Sequence, residues 1–273
     1  MLSRRKTLGL LSLALPALHL RAKAAPSLAP KALVFAHRGA SALRPEHTLA
    51  SYARAMADGA DVIEPDLGMT KDGVLVVRHE SNIAGTTDVA DHPEFASRRR
   101  TQMIDGREDT GWFTTDFTLA ELKTLRARER LSTIRVHNTR YDDHFTIPTF
   151  EEVIEVVAAE AAACGKTFGL VPELKHSTHF HALGHDPEAT FLKIIASHEY
   201  TRQAPLEVQS FETGNLGRIR KQILDINPQA RLMLLMGERN QIPPDLLAAG
   251  KKTTFGDLMT RDGLTEIRRY ADV

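Results

Sequence analysis

The sequence predicts an α/β fold of the (β/α)8, TIM-type barrel class, and three observations carry that prediction. Short apolar runs alternate with helical segments from about residue 32 onward. Each run is nearly continuous in apolar residues, the pattern of parallel strands buried on both faces. Polar groups collect at the C-terminal end of the runs: His37, Asp66, His79, Glu173 with Lys175, and Gln209 with Ser210. A barrel gathers its functional groups at that rim, whereas an open doubly wound sheet gathers them at one crevice beside a Gly-rich phosphate loop. No GxGxxG or Walker pattern occurs, which favours the barrel.

Taken in order, the chain opens with Arg4, Arg5 and Lys6, an apolar run from Leu8 to Leu18, and Ala22-Lys23-Ala24. A basic start, a short apolar stretch and a small-x-small site make a secretory signal, residues 1–24, with cleavage before Ala25. Ser3-Arg4-Arg5-Lys6-Thr7-Leu8 also resembles a twin-arginine export signal, so Sec and twin-arginine routes both stay open. Export to the periplasm or beyond is expected. The barrel domain then occupies 25–273, with a short linker over 26–31. Residues 32–36 read as a strand. Thr48 caps a helix over 49–57, with Gly59 at its end. A strand over 61–67, an Asp72-Gly73 turn and a strand over 74–78 follow.

From about 81 to 118 the pattern breaks into a polar insertion after the third strand, holding Trp112 and the run Arg98-Arg99-Arg100, read as a solvated face. Beyond it the pattern gives a helix over 119–130, a helix over 150–163 capped by Thr149 and ended by Gly165, and a strand over 168–175. A histidine-dotted loop spans 176–186, then come a helix over 187–198, a strand over 206–210, a helix over 213–225 and a strand over 231–236. A short helix near Asp245 and a last one over 260–270 complete the chain. Pro65 and Pro172 read as strand-end residues, because a proline inside a strand removes a ladder donor. Six strands do not close an eight-stranded barrel, and the sequence stops at 270–273 where another would begin. The expectation is a barrel short of its last strands, with open edges.

Composition excludes several classes. The 273 residues are 42% hydrophobic and 26% charged, an ordinary globular balance. Lys plus Arg and Asp plus Glu are both 35, so no net field draws the chain to nucleic acid, and no nucleic-acid motif occurs. After the signal no segment is apolar and long enough to span a membrane. The lone Cys164 excludes an internal disulfide and reads as a buried structural thiol.

The chemistry begins at 61–80, DVIEPDLGMTKDGVLVVRHE. Side chains two apart on a strand share a face, so Glu64 and Asp66 point together. Adjacent carboxylates repel unless a cation or proton lies between them, and a hard divalent cation with oxygen ligands answers this. Water alone around a strand end is the plain alternative. Glu173 would be a third carboxylate at the same rim, giving a set suited to Ca2+ or Mg2+ rather than zinc. Lys175 would meet an anionic substrate or pair with a rim acid. His37 and His79 can serve as general base and general acid across an anion, and Arg38 has the fork geometry for a phosphate. His176, His179, His181 and His185 read as a polar loop over the barrel mouth rather than a second metal site, because no acid or cysteine shares their spacing.

These residues fall in a set of motifs: HRGAS at 37–41, PEHTL at 45–49, EPD at 64–66, MTKDG at 69–73, VVRHE at 76–80, PELK at 172–175 and QSFE at 209–212. In that order they resemble the glycerophosphodiester phosphodiesterases, and TTDVAD at 86–91 with the long insertion resembles the exported bacterial type. The resemblance runs from about Leu33 to the end. It implies a TIM-type barrel that hydrolyses deacylated phospholipid diesters to glycerol 3-phosphate and an alcohol. It implies His37 and His79 as the acid–base pair, and Arg38 and Lys175 as phosphate ligands. Glu64, Asp66 and Glu173 match the positions that hold one divalent cation, usually Ca2+ or Mg2+. Gln209 lies in the substrate pocket, with Phe211 near the glycerol. The second histidine of the family is often followed by Asp, and Glu80 stands here. The family's last strands are missing. Alternatives are a related diesterase acting on a lysophospholipid or sphingolipid, against which the long polar insertion argues, and an inactive barrel fragment.

Overall fold

The computed structural model of the protein describes residues 32–273. The expected signal at 1–24 and the linker at 26–31 lie outside the described residues. Strand β1 (Phe35–His37) leads through a tight turn to helix α1 (Leu49–Ala57). Thr48 and Ser51 form a reciprocal capping box on α1, each side chain accepting from the other's backbone N–H; loss of such a cap costs about 1 kcal/mol. The next strand comes in two pieces, β2 (Val62–Glu64) and β3 (Asp66–Met69), divided at Pro65. Strand β4 (Leu75–Val77) turns back along β3. The hairpin β5 (Arg100–Ile104) and β6 (Arg107–Gly111) lies in the insertion, followed by the short helix α2 (Leu119–Leu122). Helix α3 (Phe150–Cys164) is followed by β7 (Gly169–Leu170) and β8 (Glu173–Leu174), divided at Val171-Pro172. Then come α4 (Ser177–Ala182), α5 (Pro187–Ser197), α6 (Glu199–Gln203), β9 (Glu207–Ser210), α7 (Thr213–Ile226) and β10 (Arg231–Leu234). Three short helices finish the chain: α8 (Pro244–Ala248), α9 (Phe255–Leu258) and α10 (Arg261–Ile267).

Parallel pairing runs β1 to β2, β2 to β7, β3 to β8, β8 to β9 and β9 to β10. The two proline breaks split two long strands, so the wall has five parallel staves among the described residues. Asp272 and Val273 hydrogen-bond to Leu232 and Leu234 on the far side of β10.

The structure corrects the reading of 74–78 as a parallel stave. β4 pairs antiparallel with β3, which makes 66–77 a hairpin. Its three residues serve two cores, since successive strand side chains face opposite ways. Leu75 and Val77 join the main core between wall and helices. Val76 joins a second cluster with Ile83, Val89, Phe95, Trp112, Phe117, Leu122, Leu125 and Ile147. The insertion therefore has an interior of its own.

Other expectations also shift. The helix over 119–130 stops at Leu122, because Ala127 bridges to Thr87 and the Arg126 N–H is taken by Asp88. The loop over 176–186 contains a helix. Cys164 is exposed at the C-terminal end of α3, not buried. The hairpin over 100–111 escaped the sequence reading because both its faces are polar. Its signal was the two-residue Asp105-Gly106 turn, with φ of 50° and 78°, the left-handed pair that a tight hairpin requires. No helix of the described residues is long and apolar enough to cross a membrane.

Candidate active site

The wall's register builds the site. His37 is the ladder partner of Glu64, Asp66 of Glu173, and Glu173 of Gln209. Parallel pairing thus lays a row of polar side chains across neighbouring staves at one rim. His79 reaches that rim by another route. β4 returns antiparallel from above, and the Arg78 N–H closes on the Asp66 carbonyl, which brings His79 down beside Asp66. The imidazole rings of His37 and His79 face each other with centroids 6.2 Å apart. One donor atom from each of His37, Asp66 and His79 falls within 4.8 Å of the others.

The two histidines are held differently. His79 Nδ1 meets Glu80 Oε1 at 2.5 Å, while the His37 side chain is 51% exposed. Arg38 Nε donates to His37 Nε2 at 3.3 Å, and its Nη1 donates to Glu46. Burial keeps His79 below the ordinary imidazole range, against the pull of Glu80. Arg130 joins the set through its fork, which donates to both Glu46 and Glu80. Burial opposes ionisation of Glu80, yet the bonds from His79 and Arg130 win and hold its carboxyl well below the usual range.

Arg38 itself has φ of 65°, unusual for any residue other than glycine, and Gly39 follows at 79°. A Cβ on Gly39 would lie 2.3 Å from Ser51 Oγ, so the turn admits only glycine there.

Beneath the rim, Asp66 is fully buried. Its Oδ2 accepts from His47 Nε2 at 2.8 Å, and its Oδ1 has no hydrogen-bond partner. Lys175 Nζ lies 2.6 Å from Glu173 Oε2 and 3.8 Å from Asp66 Oδ1. Burial alone would raise the Asp66 carboxyl, but His47 and Lys175 hold it down. Glu173 goes the other way, pushed up to about 7 by burial and then by the charge of Asp66, against Lys175. The two carboxyls are neighbours on the ladder, and ionisation of one disfavours ionisation of the other.

An orphaned buried oxygen and a carboxyl driven toward protonation are what a cation between them would relieve, so this donor set fits a hard divalent ion. The three expected carboxylates do not close on one another as tightly as His37, Asp66 and His79 do. Glu64 Oε1 instead accepts from Gln209 Nε2 at 2.7 Å. Lys175 supplies a positive partner for Glu173, and the neutral amide of Gln209 supplies a hydrogen-bond donor for Glu64.

A cleft of about 690 Å3 opens at Glu80, the residue that holds the His79 ring. Glu80, His176, Phe211 and Phe255 line it together with the hairpin tip at 104–109 and the loop before α8. Phe211 packs edge-on to Phe255, and Lys175 Nζ lies 6.0 Å from the Phe211 ring centre. Asp105, at the hairpin tip, pairs with His176 Nδ1 at 2.6 Å. All nine sequence-predicted site residues therefore gather at one rim.

Sequence reasoning gave no role to Glu46, His47, Tyr52, Glu80, Asp105 or Arg130. The PEHTL motif was the available signal for Glu46 and His47. Arg130 carried none, because its partners lie 84 and 50 residues away. In the histidine-dotted segment, Asp186 and Glu188 do meet His181, which the spacing did not suggest. Arg218 already pairs with Glu188 there.

Comparison with known proteins places this geometry. Residues 37–262 match the profile of the glycerophosphoryl diester phosphodiesterase family. A glycerophosphodiester phosphodiesterase of Haemophilus influenzae is 37% identical over 201 residues, covering 70% of this chain and 53% of the relative. One from Treponema pallidum is 31% identical over 257 residues, covering 89% and 70%. One from Arabidopsis thaliana is 38% identical over 194 residues, covering 66% and 50%. The chain thus spans about half the length of the Arabidopsis thaliana and Haemophilus influenzae relatives. Among solved structures, a putative glycerophosphoryl diester phosphodiesterase of Silicibacter pomeroyi superposes with a TM-score of 0.57 at 23% identity, covering 82% of this chain and 74% of that one. A phosphodiesterase of Oleispira antarctica, in complex with its product sn-glycerol-3-phosphate, superposes at 0.54 and 23% identity, covering 88% and 81%. These likenesses show the TIM-barrel fold.

Proposed function

We propose that this chain, which belongs to the glycerophosphoryl diester phosphodiesterase family, hydrolyses glycerophosphodiesters to glycerol 3-phosphate and an alcohol. The observation that carries the reading is the pair His37 and His79, facing at 6.2 Å over Asp66 with a cleft opening at Glu80. A phosphate between the rings would have an imidazole on either side. One histidine takes the proton of the attacking oxygen, and the other gives a proton to the oxygen of the departing alcohol. Arg38 and Lys175 supply fixed positive charge to the phosphate oxygens, which gain charge as the bond to the leaving group lengthens. Glu80, held by Arg130, fixes the His79 ring through Nδ1, so that Nε2 is left for the substrate. The alcohol portion lies along the cleft against Phe211 and the hairpin tip.

Glu64, Asp66 and Glu173 would hold one divalent cation, Ca2+ or Mg2+. Such an ion neutralises phosphate charge that the side chains alone leave uncompensated. The product bound to the Oleispira antarctica enzyme, sn-glycerol-3-phosphate, agrees with the product proposed here. The basic and apolar run at 4–18 supports export of the chain, which cell fractionation would check.

The test is release of glycerol 3-phosphate from glycerophosphocholine and glycerophosphoethanolamine with Ca2+, with Mg2+ and with chelator. Turnover that stops on chelation and returns with one of the two ions is expected. Equal turnover with and without chelator would remove the cation from the reading. No turnover on any diester would remove the activity.

A further inference from the structure

Beneath the rim a buried chain leads from Asp66 to two side chains that the proposed reaction does not use. Tyr52 on α1 brings its hydroxyl to 2.6 Å from His47 Nδ1, and His47 Nε2 lies 2.8 Å from Asp66 Oδ2. All three side chains are fully buried. The network sets the hydrogens. A carboxylate only accepts, so His47 Nε2 carries the proton given to Asp66, and the neutral ring then offers Nδ1 as acceptor to the Tyr52 hydroxyl. The tautomer is thereby fixed from the far side of the ring.

The backbone is arranged for this contact. His47 has φ of 56°, a left-handed conformation that a histidine adopts at a cost, and its N–H is bonded to the Arg38 carbonyl. The capping box on α1 begins at the very next residue. The strained turn, the helix start and the tyrosine one turn into the helix converge on one oxygen of Asp66. With Oδ2 taken by His47, the other oxygen, Oδ1, is the one that lacks a hydrogen-bond partner and has Lys175 Nζ at 3.8 Å.

We propose that His47 is a positioning residue, locking the Asp66 carboxylate so that Oδ1 is presented to a divalent cation, with Tyr52 setting the ring that does so. The inference rests on the reading of this rim as a cation site. His47 touches neither the substrate nor the reacting atoms. Its effect passes through the orientation of one ligand, and partners of this kind typically govern metal affinity by about 10–100-fold.

The experiment titrates Mg2+ and Ca2+ into the metal-free full chain by calorimetry, and reads the melting temperature with and without the ion. Parent, Tyr52→Phe, His47→Gln and His47→Ala are compared. Tyr52→Phe, which keeps the ring and drops only the hydroxyl, should melt close to the parent without ion and bind the ion about 10-fold more weakly. His47→Ala should lose more, and His47→Gln, whose side-chain amide can still donate to Oδ2, should recover part of the loss. Should His47→Ala fail to fold, the other two variants decide the matter. Ion affinities of Tyr52→Phe and His47→Gln within twofold of a parent that does bind the ion overturn the positioning role alone. A parent that binds neither ion overturns the cation reading, and this proposal with it.

Discussion

The barrel wall and the region over 81–146, which is the insertion together with the chain that leads from it to α3, contribute to one site by opposite means. On the wall, position comes from register. Asp66, Glu173 and Gln209 are ladder partners on three neighbouring staves, and their spacing is that of the hydrogen-bonded backbone. Over 81–146, position comes from side chains that reach across long gaps in sequence. Arg130 grips Glu46 and Glu80 from 84 and 50 residues away, and Asp105 reaches His176 across 71. Wall residues hold charge out of water, with Asp66 and Glu173 both buried. Residues over 81–146 hold theirs near it. Labour is divided accordingly: chemistry sits on the rigid ladder, and orientation and outline come from the attached layer.

That division can be broken at its strongest point first. His37→Ala and His79→Ala should each cut turnover by about 10²–10⁴-fold, with melting temperature and cation binding near those of the parent. A loss below tenfold in either would take that histidine out of proton transfer. Next comes the bridge between the regions. Arg130→Met leaves Glu46 and Glu80 without their shared fork, and should cost about 2 kcal/mol in chemical denaturation and lower turnover through a freed His79. Arg130→Lys should recover little of either, because a single ammonium cannot span both carboxylates. Recovery by lysine to parental stability would show that only the charge matters.

Glu212 belongs to the wall. It follows β9, is buried, and accepts from the backbone and hydroxyl of Thr178. Burial pushes its carboxyl up to about 7, despite those bonds. Between the ordinary carboxylate value and about 7 the folded chain keeps a proton that the unfolded chain has lost. This group's contribution to stability is therefore present at lower pH and lost as pH rises through that window. Glu212→Gln should remove the component, flattening melting temperature against pH by several degrees relative to the parent. Superimposable pH profiles would contradict it. The smallest effect belongs to the hairpin. Asp105→Asn weakens a pair on the cleft wall and should raise KM by about threefold with kcat unchanged. A change in kcat instead would move the hairpin from outline to chemistry.

How far the sequence could be read follows the same line. The row of strand-end residues was legible because buried parallel strands announce themselves as apolar runs with polar ends. His79 was placed at the correct rim from a mistaken premise: β4 is not a stave, and it arrives there by turning back. The periodicity of a short apolar triplet does not disclose strand direction. Thr48, Thr149 and Gly165 announced their helix ends because capping is local chemistry. Arg130 and Asp105 were silent because their partners are fixed only by the folded chain. Lys175 was readable as a partner of Glu173, but the burial that drives Glu173 toward its proton was not.

The two-sidedness of β4 has a consequence for how the molecule comes apart. Val76 is a member of one interior while Leu75 and Val77 are members of the other. No cut through solvent-exposed loops separates them, since the seam runs through alternate side chains of a single strand. The insertion cannot be lifted off as a detachable module without leaving half of that strand bare. Wall and insertion should accordingly lose their amide protection together in hydrogen exchange, as one cooperative unit rather than as a stable body with a peelable cap.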